Sequence, residues 1–393
     1  MEKSRLVRFL NINLYLIFAA SFLSFRVAGF SFQGYIWVFA LLYAIYTFAN
    51  NRRNRMPLVY ILPWAIYLVL HLLFNFSFLG LQSTIMMLSP IFIGIAVSGF
   101  DYSEITATDI LGVFRKFTTV FIVFSFTFWI LKFGRFGFMT NAALVMTANI
   151  LAAVAISDFY TYYKVKDLVK FGLLLLIPVL AVTRMAIFMS LLLIPLSFIR
   201  IRPQVRILTI LVSIFIGSAV FFSVPVQEKM FYTGEGTIKD LSWGNKNFRS
   251  SGRSMINDIL LSDMKSFNRY IGKGPREDVK LLKRKLNFPA IETHNDYLST
   301  RYNYGYLGLG LFIAYNLYYF WAIFRMHRKI TDYDLHILTA SILVTFVTFG
   351  GFLYSDNVIR YNIYFTNIHF TLMGMVFGIV GSQAEEINEY VYT

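Results

Sequence analysis

Long apolar runs separated by short polar turns recur along almost the whole chain. A hydrocarbon core about 30 Å thick requires roughly 20 apolar residues per crossing helix, and the runs lack the alternation typical of a membrane β-barrel. The pattern predicts an all-α integral membrane protein, a bundle of about twelve transmembrane helices. The predicted spans are 8–25, 35–49, 57–79, 81–99, 117–131, 140–160, 171–183, 185–199, 207–226, 302–324, 335–354 and 362–382.

The composition agrees with a bilayer setting. Hydrophobic residues make up 57% of the chain and charged residues 15%, and the mean hydropathy is +0.59. This leaves too little polar surface for a soluble fold of this length. Cysteine is absent, which excludes a disulfide framework, a thiol nucleophile and a Cys-based metal site. The basic N-terminus has no convincing cleavage site, so we expect a retained first helix.

Orientation follows from the Lys and Arg residues near the ends of the spans. Pro178 and Pro195 interrupt the region 171–199, which is either one kinked helix or two short crossings. With two crossings, seventeen Lys and Arg in six short turns fall on one side. That side is predicted to be cytoplasmic and to hold both termini, with the protein in a bacterial inner membrane.

Three parts follow from this topology: nine spans in 1–226, an extracytoplasmic loop and its junction in 227–301, and three spans with a cytoplasmic tail in 302–393. Between 227 and 293 the loop holds thirteen Lys and Arg against eight Asp and Glu, a net charge of +5, which predicts an anionic ligand. No nucleic-acid motif accompanies these charges, so a nucleic-acid partner is not expected. Two amphipathic helices over the bundle are predicted from apolar residues at helical spacing, Met255, Ile256, Ile259, Leu260 and Phe267 in one and Val279, Leu282 and Leu286 in the other.

Two arginines are candidate anion ligands. Arg184 lies between predicted spans, where it either faces a polar cavity or a bound anion, or extends to the membrane surface. Arg253 opens the first loop helix, where the guanidinium and backbone N–H groups could hold a phosphate. The alternative for Arg253 is a solvated surface charge.

His294 is the candidate general base, since it lies where the loop re-enters the membrane. Helical spacing would place Tyr297, Leu298 and Arg301 on its face. A cation that close disfavours imidazolium and would keep His294 able to accept a proton. A structural role as an interfacial anchor or helix cap is the alternative.

Arg360 and Asp356 lie four residues apart in the last outer turn. We expect them to form an interfacial ion pair. The alternative for Arg360 is that its guanidinium binds the substrate.

The chain resembles the bacterial O-antigen polymerase and O-antigen ligase superfamily over about residues 180–380. The resemblance lies in Thr183-Arg184-Met185-Ala186, in the loop elements Gly252-Arg253-Ser254 and Gly272-Lys273-Gly274, and in His294-Asn295 followed by Gly305 and Gly308. Met185 stands where the family often has a small residue, and Ile256 and Asn257 stand where an aromatic residue is common.

This resemblance implies a GT-C-like, inverting and metal-independent glycosyltransferase that works without a cofactor on the outer face of the membrane. The donor would be a glycan on undecaprenyl diphosphate, and membrane lipid would surround the enzyme. Arg184 and Arg253 would hold the diphosphate, and His294 would take the proton from the acceptor hydroxyl. We expect Tyr297, Arg301 and Arg360 to contribute to the substrate site.

Three functions stay open. A polymerase would extend a lipid-linked repeat unit, with a chain-length regulator as a further partner, whereas a ligase would transfer the glycan to the lipid A core. The continuation Asn295-Asp296-Tyr297-Leu298 and the Gly-Lys-Gly element look more like the polymerase branch. The third function is a flippase of lipid-linked sugars, for which we expect an internal repeat or ionisable residues deep in several helices. The sequence displays neither.

Overall fold

A computed structural model describes residues 2–22, 26–27, 30–51, 53–131, 143–242, 245–249, 252–287 and 292–392, without the side chains of 22–34 and 385–392. The ends of two predicted spans, 23–25 and 140–142, lie outside the described residues. The α-helices are α1 (Glu2–Phe22), α2 (Phe32–Asn51), α3 (Leu62–Phe74), α4 (Phe78–Ser98), α5 (Ala107–Leu131), α6 (Leu144–Tyr162), α7 (Val165–Leu180), α8 (Arg184–Leu192), α9 (Pro203–Phe221), α10 (Val224–Met230), α11 (Arg253–Asp263), α12 (Glu277–Leu286), α13 (Asp296–His327), α14 (Tyr333–Ser355) and α15 (Thr366–Tyr392). Three short 3-10 helices are Ile238–Asp240, Met264–Ser266 and Asn362–Tyr364.

The protein is a helical bundle, as predicted, and each of the twelve predicted spans overlaps at least one helix. Among the described residues, six helices are long and apolar enough to cross a membrane: α4, α5, α6, α9, α13 and α14. The nine residues of α8 rise only about 13 Å, less than the hydrocarbon thickness. The number of crossings therefore stays a prediction. The strands β1 (Arg26–Val27) and β2 (Phe30–Ser31) form one antiparallel ribbon, with Val27 opposite Phe30.

Burial distinguishes the centre of the bundle from its edge. Of the residues in the apolar stretch that could span a membrane, 89% are buried in α6 and 78% in α14. In α9 the buried share is 0%. Helix α9 would therefore present its surface to lipid.

The two predicted amphipathic helices are confirmed as α11 and α12. They form a second apolar cluster with the first turns of α13, made of Ile256, Leu260, Met264, Leu281, Leu282, Leu298 and Tyr302. Met255, predicted on the same face, is instead 50% exposed. The loop is thus docked onto the helix that follows His294.

A break in α13 at Gly305 completes this docking. Gly305 has φ 69° and ψ −173°, which interrupts the helical hydrogen-bond ladder. The loop supplies the missing partners, since the amides of Lys273 and Gly274 donate to the carbonyls of Tyr302 (3.1 Å) and Asn303 (2.8 Å). The Gly272-Lys273-Gly274 element of the loop therefore contacts α13 directly at the break around Gly305.

Candidate functional site

His294 lies outside α13, two residues before its first residue, with a left-handed φ of 51°. Asn295 is the N-cap, and its side chain accepts a hydrogen bond from the Leu298 amide at 2.9 Å. The prediction of a shared helical face with Tyr297, Leu298 and Arg301 is therefore wrong. A histidine in this backbone conformation is strained and must be held by its surroundings.

Asn357 holds His294 at two points. The backbone amide of His294 donates to Asn357 Oδ1 at 2.9 Å, and Asn357 Nδ2 lies 3.2 Å from His294 Nδ1. Because the carbonyl of this side chain is occupied by the backbone, its NH₂ group faces the ring and donates to Nδ1. Neutral His294 then carries its hydrogen on Nε2, and Nδ1 can accept a proton once the hydrogen bond from Asn357 is released.

The charged group beside this ring is the carboxylate of Asp356. Its Oδ1 lies 3.8 Å from His294 Nδ1, and the histidine side chain is 40% exposed. This corrects the expectation of a neighbouring Arg301. A carboxylate at this position stabilises the imidazolium that proton transfer would form.

Arg184 and Arg253 are brought to the same place, at the first residues of α8 and α11. Arg184 Nη1 donates to the carbonyl of Arg249 at 3.0 Å, and its guanidinium lies 5.5 Å from the centre of the Phe248 ring. Among the residues that the structure describes, no carboxylate lies within ion-pairing distance of either Arg184 or Arg253. Two cations without a paired acid favour an anionic ligand.

Electrostatic coupling extends this cluster to Lys229 and Asp356. Burial lowers the pKa of Arg253, and the Asp356 carboxylate acts against that shift. Burial lowers the pKa of Lys229 as well, and the charges of Arg184 and Arg253 lower it further. Asp356 therefore acts electrostatically on Arg253 and also lies beside His294.

An apolar cavity of about 720 Å³ opens beside the two arginines. Arg184, Arg253, Tyr354 and Ser355 are part of its lining. Apolar side chains cover most of the rest, among them Ile187, Phe188, Leu191, Ile210, Ile214 and Phe221. Since these come from α8 and the unburied α9, the cavity adjoins surface that would face lipid. We call it the apolar cavity.

Arg360 lies in a different cavity, of about 260 Å³, together with Arg276, Glu292 and Asn357. Arg276 binds Glu292 through two hydrogen bonds of 3.0 and 2.8 Å, and Arg360 pairs with the same carboxylate. The expected pair between Arg360 and Asp356 is therefore wrong. We call this second space the polar cavity.

Tyr297 and Arg301 have other partners. The Tyr297 hydroxyl donates to the carbonyl of Gly350 at 3.2 Å, which joins α13 to α14. The Arg301 guanidinium lies 4.5 Å from the centre of the Tyr306 ring. In the described part of the chain, no hydrogen bond or ion pair connects either side chain to His294.

Sequence reasoning missed Asn357, Lys229 and Glu292 as parts of the site. Asn357 follows an apolar run on the side of the bundle where His294 re-enters, which was the available signal. Among the described residues, His, Asp and Glu form no group of three or more that could hold a metal ion.

Neither the protein-family models nor the curated protein sequences contain a match to this chain. The residues of the chain itself therefore have to support any functional proposal.

Proposed function

We propose that the protein is a polymerase of undecaprenyl-diphosphate-linked oligosaccharide repeat units, an inverting and metal-independent glycosyltransferase of GT-C-like architecture. The observation that carries the proposal is the apolar cavity. It joins two arginines that lack a carboxylate partner among the described residues to a wall that suits a polyprenyl chain. The proposal includes twelve membrane spans, cytoplasmic termini and a site on the outer face of a bacterial inner membrane.

In this mechanism the lipid tail lies in the apolar cavity, and Arg184 and Arg253 contact the diphosphate. The acceptor oxygen attacks the anomeric carbon of the donor sugar as the bond from that carbon to the phosphate oxygen breaks. The electron pair of the broken bond leaves with the diphosphate, whose growing negative charge the two arginines stabilise.

His294 removes the proton of the acceptor hydroxyl at Nδ1. The hydrogen bond from Asn357 Nδ2 to this nitrogen breaks as the proton arrives, because the same lone pair accepts both. The new N–H then lies beside Asp356, and the Asp356 carboxylate stabilises the positive ring. Before the transfer, Asn357 holds both the ring and the backbone of His294 in position, and its contact with the backbone amide persists afterwards.

The test is glycan length in a strain that lacks the gene for this chain. Loss of polymer, with single repeat units left on the lipid carrier, supports the proposal, and polymer should return with the wild-type chain but not with His294→Ala. Polymer that accumulates without transfer to the lipid A core would overturn it in favour of a ligase. Precursor trapped on the cytoplasmic side would overturn it in favour of a flippase.

A further inference from the structure

The polar cavity and the apolar cavity share no lining residue, but one short segment of the chain contributes to both. Tyr354 and Ser355 line the apolar cavity, whereas Asn357 lines the polar one. Between them in the chain, Asp356 approaches the His294 ring. The segment 354–357 therefore lines both cavities, and its residues Asp356 and Asn357 also contact His294.

The lining of the polar cavity suits a hydroxyl-rich ligand. Gln82, Asn357 and Asn362 contribute amide groups that can both donate and accept hydrogen bonds. Glu292 contributes a carboxylate whose orientation is set by the two hydrogen bonds from Arg276. Planar polar groups held in place in this way recognise a particular arrangement of hydroxyl groups and reject ligands that lack them.

The charges of this cavity argue against the diphosphate as its ligand. Arg276 and Arg360 both pair with Glu292, and Lys283, the third cation of the lining, is an exposed side chain. In the described part of the chain, Arg184 and Arg253 have no such carboxylate partner. The polyphosphate and the apolar tail therefore fit the apolar cavity, which leaves the polar cavity for an uncharged or weakly charged polar group.

We propose that the polar cavity binds the acceptor glycan and directs one of its hydroxyl groups toward His294. This inference rests on the proposed transferase function and adds where the second substrate binds. Asn357 is then shared, because the same side chain holds His294 and lines the acceptor cavity. Its second role is to position the acceptor against the base.

The test uses tryptophan substitutions that fill the cavity from two walls. Gln82 on α4 and Lys283 on α12 are exposed side chains that line it, so Gln82→Trp and Lys283→Trp leave the apolar core intact. The matched controls are Gln204→Trp on α9 and Lys285→Trp on α12, exposed residues that line neither cavity.

Three quantities are measured on each full-length protein in lipid nanodiscs. The first is binding of undecaprenyl diphosphate, which reports the apolar cavity and the integrity of the fold. The second is binding of the repeat-unit glycan, released by mild acid from the lipid-linked precursor of the deletion strain. The third is the rate at which that lipid-linked precursor is elongated.

We expect both cavity variants to weaken glycan binding and slow elongation by about tenfold or more, with undecaprenyl diphosphate binding retained. The two controls should match the wild type. Unchanged glycan binding and elongation in both cavity variants would overturn the acceptor assignment, and so would equal loss of both ligands with the protein still folded. A failure of the proposed function is a different result, because the wild type itself would then neither bind undecaprenyl diphosphate nor elongate the precursor.

Discussion

His294 and Asn357 lie 63 residues apart in the chain and contact each other through both the backbone amide and the ring of the histidine. This double contact joins the segment before α13 to the segment after α14. Since His294 has a strained backbone, the contact also supplies part of what holds that conformation. The site thus depends on the packing of two helices.

Replacement of His294 by Ala should lower the transfer rate by about 10²–10⁴-fold, the usual effect of losing a general base. Undecaprenyl diphosphate binding should persist, because the arginines remain. The measurements are single-turnover elongation of purified precursor and a separate binding assay. A chelator should leave the wild-type rate unchanged. Near-normal elongation by His294→Ala would make the histidine a structural anchor.

Asp356→Asn should reduce the rate of the chemical step, because it removes the carboxylate that stabilises the imidazolium, while donor binding changes little. Asp356→Glu should recover part of the rate. Asn357→Ala should lower the maximal rate by about 10²-fold through misplacement of the ring. The readout is the split between kcat and KM. An Asp356→Asn enzyme with wild-type kcat would remove Asp356 from the mechanism.

Arg184→Ala and Arg253→Ala should each weaken undecaprenyl diphosphate binding, by about 1.5–3 kcal/mol for a charge-assisted hydrogen bond. Lysine at either position should recover binding only in part, since it lacks the two-pronged guanidinium. Membrane insertion and thermal stability are measured in parallel, and Arg200→Ala serves as an exposed control. Unchanged diphosphate binding in both variants would contradict the assignment.

Binding of undecaprenyl diphosphate should weaken as pH rises toward the pKa of an ordinary lysine, about 10.4. Burial and the charges of Arg184 and Arg253 lower the pKa of Lys229. Lys229 therefore loses its proton at a lower pH than an ordinary lysine, and the positive charge beside the diphosphate falls. Lys229→Arg stays charged and should flatten this dependence. A pH profile identical in the two proteins would show that Lys229 does not contribute.

Gly305→Ala should destabilise the protein by about 1–3 kcal/mol, the usual cost of such backbone strain. The added Cβ would lie 2.2 Å from the carbonyl oxygen of Tyr270, at a φ of 69°. Gly310→Ala in the same helix is the matched control, because nothing lies within 4 Å of its added Cβ, and it should be neutral or stabilising. Thermal unfolding and elongation are compared. Equal stability of the two variants would contradict the docking of the loop onto the break.

The sequence by itself determined where the helices lie and which loop segments are amphipathic. Apolar runs bounded by polar turns report local burial, so each predicted span overlaps a helix, and the spacing of Ile256 and Leu260 places both on the buried face of α11. The residue at which a helix begins was harder to predict from the sequence. The predicted helical face put His294 inside the helix, although Asn295 is a strong N-cap residue and marks where the helix begins.

Only the tertiary structure decided the partners of the charged and polar side chains. Asp356 and Arg360 lie four residues apart, yet Arg360 pairs with Glu292 and Asp356 approaches His294. The segment after α14 is not a regular helix, so spacing along the chain does not set which side chains face each other. Contacts between distant segments depend on how the helices pack, and the separation of Arg184 and Arg253 from Arg360 into two cavities follows from that packing.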